Sequence, residues 1–286
     1  MKKTPVVAVL NMKGGVGKTT ITAHVMGGVL SQSMKKGVTL VDFDPQFNLT
    51  QALVTGDVYQ RLKEANTTVF SVMERPPHTS LFTVSNTPAL PPKLQDVSIP
   101  LGEEGANVRL VPGDFAMVKY SLIDDASLLK PVKQRFVQFI KAAGAESDVV
   151  CLDCNPSSSF MTLCALEAAT HILVPVRPDK FSLQGLDLLD QFIAKVAALP
   201  KPPKLMVVLN TAQSRYDPAV ENELRGHPRF GSLTLATRLN HSKLLEASEE
   251  HTGFATDRRV PFRKHVLRNL QLLATEISQE LGLTAR

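Results

Sequence analysis

Short apolar runs rich in β-branched residues recur along the chain at 6–11, 38–43, 108–111, 148–154, 172–176 and 205–210. Continuous apolarity over so few residues marks strands buried on both faces, the habit of a parallel sheet covered by helices. Between them lie stretches of helical period at 18–34, 128–143, 158–169, 183–199, 217–225, 242–251 and 262–281. The alternation predicts an α/β fold, a doubly wound, mostly parallel sheet with helices on both faces. The last helical stretch puts Val266, Leu270, Leu273, Ile277 and Leu281 on one face, a stripe that docks on a core. Its polar face mixes Glu276 and Glu280 with Arg268, so no membrane contact is expected. Residues 74–100 break the rhythm. Pro76, Pro77, Pro88, Pro91, Pro92 and Pro100 fall there with little periodicity, which predicts a long surface excursion. Nothing else divides the chain, and 1–286 reads as a single domain; the prolines of 200–203 read as a helix-to-strand link.

Composition narrows the class. Hydrophobic residues make up 43% of 286 positions and the mean hydropathy is near zero, as in a globular protein with a sizeable core. Three cysteines and no tryptophan provide no disulfide framework, which suits a reducing cytoplasm. The apolar run after Met1-Lys2-Lys3 is too short for a secretion signal, and no run approaches the ~20 apolar residues of a membrane span. A net charge of +5 matters only if it is clustered, and then points to a polyanionic partner.

The chemistry begins at 13–20, Lys-Gly-Gly-Val-Gly-Lys-Thr-Thr, directly after the first strand and before the first helix. Gly14, Gly15 and Gly17, with Val16 between them, let backbone N–H groups close on phosphate oxygens. The helix that follows adds its positive end. Lys18 would reach the β/γ-phosphates and Thr19 would ligate Mg²⁺, with Thr20 beside it. Ligands of such folds sit at the carboxyl ends of the strands, where Asn11, Asp42, Asp44, Asp153 and Asn210 fall.

The ordinary pattern wants a glycine at the loop's entrance; neither Met12 nor Lys13 supplies it, and Lys13 puts a second cation there. With it, the segment 13–20 resembles the deviant Walker A motif of the ParA/MinD (SIMIBI) ATPases, closest to ParA-type proteins lacking an N-terminal helix-turn-helix domain. The resemblance is strongest at 9–50 and 148–190. It implies that Lys13 crosses a dimer interface to the partner's nucleotide, where a cation stabilises the charge that develops in phosphoryl transfer. Asp42-Phe43-Asp44-Pro45-Gln46 resembles the family's switch I, which implies that Asp42 supports Mg²⁺ through water and Asp44 orients the attacking water. The family has glycine after the Gln; this chain has Phe47. Asp153 matches the Walker B acid, again holding Mg²⁺ through water, although Cys154-Asn155-Pro156-Ser157 replaces the family's Thr-Pro-Pro-Ser. Asn210 matches the residue that hydrogen-bonds adenine.

By resemblance, then, the chain is an ATP- and Mg²⁺-dependent ATPase that forms a homodimer on ATP. The dimer binds DNA without sequence preference and is released by a ParB-like or cargo adaptor that stimulates hydrolysis. This implies a cytoplasmic, nucleoid-associated role in partitioning DNA or positioning a cargo. Two alternatives stay open: a MinD-like membrane switch, and a nucleotide-driven reductase of the nitrogenase iron-protein type. For the second, Cys151 and Cys154 lie three apart, but without a second pair they read as small buried hydrophobes. Positive charge gathers late in the chain: Arg258, Arg259, Arg263, Lys264 and Arg268 with no acid among them, preceded by Arg215, Arg238 and Lys243. Such side chains contact phosphates and give sequence-independent DNA affinity.

Overall fold

The computed structural model describes residues 3–76, 80–84, 87, 90–102, 107–155, 159–196, 202–211, 216–246, 251–261 and 263–283. The apolar runs become β1 (Val6–Val9), β2 (Val38–Phe43), β4 (Val108–Val111), β5 (Val149–Cys154), β6 (His171–Val176) and β7 (Lys204–Thr211). Two short strands join them, β3 (Ile99–Leu101) and β8 (Leu239–Asn240). The eight form one sheet in the order β3-β4-β2-β5-β1-β6-β7-β8, all parallel except β3, which runs antiparallel along the edge of β4. Pro100 is tolerated there because an edge strand has one side that pairs with nothing.

Strand side chains alternate between the two faces, and each face has its own core. Ala8 and Leu10 of the first strand and loop, Val41 and Phe43 of β2, and Leu152 of β5 face one way. They pack under α4 (Val69–Met73), α6 (Ala126–Ala145), α7 (Phe160–Ala168) and α8 (Ser182–Lys195). Val7, Val9, Leu40 and Cys151 face the other way. There they meet α1, which starts as an α-turn over Lys18–Thr20 and continues in π-type turns over Ile21–Ser33, and α10 (Arg263–Glu280). As the stripe predicts, α10 spends Leu270, Leu273 and Ile277 on this core. Cys151, Cys154 and Cys164 are buried and unpaired, and burial pushes all three thiols up, Cys151 well past the range of a reactive thiolate. Among the described residues no helix is long and apolar enough to cross a membrane.

Three expectations change. The 74–100 segment is only partly a surface excursion. Glu74 is fully buried and accepts from Tyr120 Oη at 2.7 Å and pairs with buried Lys119 at 2.8 Å. Leu94 and Val97, on a single helical turn (Leu94–Val97, α5), are core residues. The stretch at 242–251 is not a helix where it is described. It makes a 3₁₀ turn over Lys243–Leu245, and Arg258 takes the Leu244 and Glu246 carbonyls at 3.0 and 3.3 Å. Finally, α2 (Asn48–Leu53) and α3 (Gly56–Glu64) follow β2 where no helix is predicted; both are short, and α3 buries none of its residues fully.

Candidate nucleotide site

Five parallel strands deliver their carboxyl ends to one edge. After β1 come Asn11 and the glycine loop; β2 carries Asp42 just before its end and leads to Asp44; β5 carries Asp153; β6 leads to Arg177 and Asp179; β7 carries Asn210. The loop is clipped in place at both sides. Asn11 Nδ2 donates to Pro175 O at 2.8 Å, while Asn11 Oδ1 accepts from Lys13 N at 2.9 Å. Asn210 Nδ2 donates to Val16 O at 2.8 Å. Gly17 sits at φ 97° and caps α1, and a Cβ there would collide with Asn210 Nδ2, so both backbone and space demand glycine.

These residues wall a cleft of about 810 Å³ that includes Gly14, Gly15, Gly17, Lys18, Thr19, Thr20, Asp44 and Asn210. Lys18 is 8% exposed, and among the described residues its ammonium has only long bonds to the Asn11 and Lys13 carbonyls, at 3.4 and 3.3 Å. Burial lowers its pKa, opposed by Asp153 and Asp44. A buried cation held by carbonyls alone, at the positive end of a helix, is arranged for an anion.

The acids lie beside it. Asp42 and Asp153 are register partners on β2 and β5. Asp153 Oδ2 accepts from Thr19 Oγ1 at 2.8 Å, and its Oδ1 from Thr22 Oγ1 at 3.3 Å. Asp42 Oδ2 accepts from Thr50 N at 2.7 Å and Thr50 Oγ1 at 2.6 Å, which leaves Oδ1 buried with no partner. Burial raises Asp42 well above the usual carboxylate range, and the Asp153 charge adds to this. Burial likewise lifts Asp153 to about 7. Two carboxylates that resist ionisation side by side, one with an orphaned oxygen, are suited to a cation that would restore both charges. Among the described residues no three His, Cys, Asp or Glu side chains converge on one metal position. A hydroxyl and two carboxylates, Thr19, Asp42 and Asp153, are oxygen donors that fit Mg²⁺, which keeps most of its waters and takes phosphate oxygens. Asp44 Oδ1 accepts from Gln46 N at 2.9 Å and burial raises its pKa, with Lys18 opposing.

Lys13 stands outside the cleft wall. Its side chain is 42% exposed and its ammonium pairs with Asp179. Burial would raise Asp179, but the hydrogen bonds and charge of Lys13 and the Phe181 amide outweigh it and hold the carboxylate low.

Sequence reasoning misses many residues of this cleft, among them three that bear on its charge. Arg177, at the end of β6, turns into it with its Nε unpartnered. Its place just past an apolar run was the available signal. His24, one turn after Thr20 on α1, also lines it; burial and then Arg258 depress its pKa to about 4, and Nδ1 accepts from Ala255 N at 3.1 Å. Arg258 is the third, and no local pattern places it there.

The cations expected on DNA divide. Arg215 lies outside the described residues. Arg258 faces the nucleotide cleft, and Arg263 donates to Thr256 O. Arg238 pairs with buried Glu221 at 2.9 Å and donates to Tyr216 Oη at 3.1 Å. Lys243, Arg259, Lys264 and Arg268 are exposed. Two of the segments that carry them are tied down by hydrogen bonds: Asn269, next to Arg268 on α10, donates to Arg238 O at 2.9 Å and accepts from Asn240 N of β8 at 3.0 Å, and Arg258 holds the turn that carries Lys243.

A parallel sheet with a glycine loop entering a helix N-terminus, a lysine within the loop and acids at two neighbouring strand ends defines a P-loop nucleotide-binding protein. Comparison with known proteins carries this further. The family model described as AAA domain matches residues 4–206. The chromosome partitioning protein ParA of Myxococcus xanthus is 31% identical over 232 residues, covering 78% of this chain and 71% of that protein. This chain spans 66% of the length of the first curated relatives it matches. Among solved structures, pNOB8 ParA bound to nonspecific DNA superposes with a TM-score of 0.67 at 18% identity, covering 98% of this chain and 99% of that one. Cobyrinic acid a,c-diamide synthase from Mycobacterium smegmatis with ADP and magnesium gives 0.70 at 20% identity, with 98% and 96% covered. The chain belongs to the AAA domain family of ParA/MinD-like, deviant Walker A proteins.

Proposed function

We propose that this chain, acting as one domain, is an ATPase that dimerises on ATP and Mg²⁺, binds DNA without sequence preference in that state, and leaves it when a ParB-like or cargo adaptor stimulates hydrolysis. The observation that carries the reading is the division of labour between two lysines of one loop. Lys18 is buried in the cleft, where it would serve its own nucleotide; Lys13 lies outside the cleft wall, half-exposed and paired with Asp179, where it would serve another's. Relatives named for chromosome partitioning, and a ParA of the same fold bound to nonspecific DNA, support the partition or positioning role.

In this reading the loop amides and Lys18 neutralise the β- and γ-phosphates, and Asp44 orients the attacking water. Thr19, Asp42 and Asp153 would hold Mg²⁺, which would supply charge neutralisation at the phosphates. Lys13 of the second protomer adds a cation to the transferring phosphoryl group, which ties hydrolysis to dimerisation. Asn210 both braces the loop and lines the cleft, where its second N–H and its carbonyl oxygen are available to adenine. A cytoplasmic, nucleoid-bound location follows from the same proposal. Titration calorimetry with a non-hydrolysable ATP analogue tests it. Lys18→Ala is expected to abolish binding, and unchanged affinity would remove the P-loop assignment.

A further inference from the structure

Phe47 follows the Asp44 turn with φ 41° and ψ 39°. A bulky side chain rarely takes this left-handed conformation and keeps it only where the surroundings over-determine it. Here they do so from two sides. The ring stacks on Tyr59 with centroids 4.8 Å apart and planes 17° apart. Across from it the backbone at Gly113 is so close that a Cβ there would lie 2.6 Å from Phe47 Cβ and 2.9 Å from the Asp42 carboxylate. The same residue closes the turn: Phe47 N donates to Asp44 O at 2.8 Å, and Phe47 O accepts from Gln51 N at 3.0 Å to start α2. Tyr59 sits on α3, none of whose residues is fully buried; Val58 packs partly against the core, and the stack joins the helix to the turn.

We propose that the Phe47–Tyr59 stack is a clamp that positions Asp44, holding the turn closed and its carboxylate preset in the cleft before nucleotide arrives. The turn cannot open without separating the two rings, because Phe47 is hydrogen-bonded on both sides and wedged against Gly113. Phe47 and Tyr59 are positioning residues; neither lines the cleft. The proposal rests on Asp44 being the carboxylate that orients the attacking water.

The test combines amide hydrogen exchange over 45–51 in the nucleotide-free full chain with steady-state ATP turnover. Tyr59→Ala is expected to speed exchange there about tenfold, the loss of one aromatic stack, and to lower kcat by a similar factor with KM for ATP within about twofold. Phe47→Gly, which removes the ring and suits the left-handed backbone, is expected to move exchange the same way. Tyr59→Phe keeps the ring and is expected to restore both readouts. Native exchange in Tyr59→Ala, or Tyr59→Phe behaving like Tyr59→Ala, overturns the clamp. An intact protein without any ATP turnover overturns the ATPase reading instead, and exchange alone then decides whether the clamp exists.

Discussion

Gly17, Val16 and Asn210 show how a few atoms hold the loop to shape: a left-handed glycine with no room for a Cβ, and an amide from β7 that grips the preceding carbonyl. This part of the site is legible in the sequence because it is local. The spacing of glycines and Lys18 directly after an apolar run requires a strand, a loop and a helix in that order. Arg177, His24 and Arg258 are legible only in part or not at all, since what brings them to the cleft is packing between residues up to 234 positions apart along the chain, from His24 to Arg258. At this scale the sharpest expectation concerns Asp44. Its carboxylate lies in the cleft wall, near Lys18 but outside the pair of acids on adjoining strands. Asp44→Ala is therefore expected to bind ATP and dimerise while turnover falls about 10²-fold, the worth of positioning one reacting proton or water. Phosphate release measured alongside light scattering checks this; a wild-type rate would remove the role.

Among elements, the strands of the sheet interior follow the apolar runs almost residue for residue, as with 38–43 and 108–111, because burial on both faces leaves no ambiguity of period. The edge strands β3 and β8 escape, being only Ile99–Leu101 and Leu239–Asn240, and so do the short helices α2 to α5. Tertiary contacts make these elements, not their own pattern. His24 on α1 gives an element-scale prediction. Its folded pKa of about 4 lies below the unfolded 6.5, so between these values the unfolded chain binds the extra proton. The contribution of the neutral imidazole is full above pH 6.5 and is lost as pH falls through 4. Asp42 and Asp153, raised by burial, give both proteins the opposite slope, so the His24 contribution is read as a difference: denaturant unfolding is expected to show the wild type losing about 2 kcal/mol relative to His24→Gln between pH 7 and 4.5. Equal slopes in both proteins would place the acid sensitivity elsewhere.

For the whole molecule, the account joins two events, dimerisation through Lys13 and DNA binding through the cations near β8 and α10. Lys13 pairs with Asp179 within its own chain, so the pair must part before the lysine can reach a second nucleotide. Lys13→Ala is expected to bind ADP within about twofold of wild type yet form no ATP dimer by light scattering, with turnover lowered about 10³-fold. A wild-type dimer and rate would make Lys13 a surface charge.

The structure revises which cations are available to DNA. Arg258, Arg263 and Arg238 have partners within the fold, whereas Lys243, Arg259, Lys264 and Arg268 are exposed and, in the proposed dimer, would be doubled if two protomers faced one way. The most direct measurement of the central claim is duplex affinity by fluorescence anisotropy, on two unrelated sequences, with ATP or ADP, across a salt series. The account predicts binding only with ATP, equal on both duplexes, with log affinity falling against log salt at a slope near −5 for about six neutralised phosphates. It also predicts that replacing Arg259, Lys264 and Arg268 by Glu weakens both complexes alike and spares nucleotide affinity. Equal binding with ADP, or a strong preference for one duplex, would contradict it.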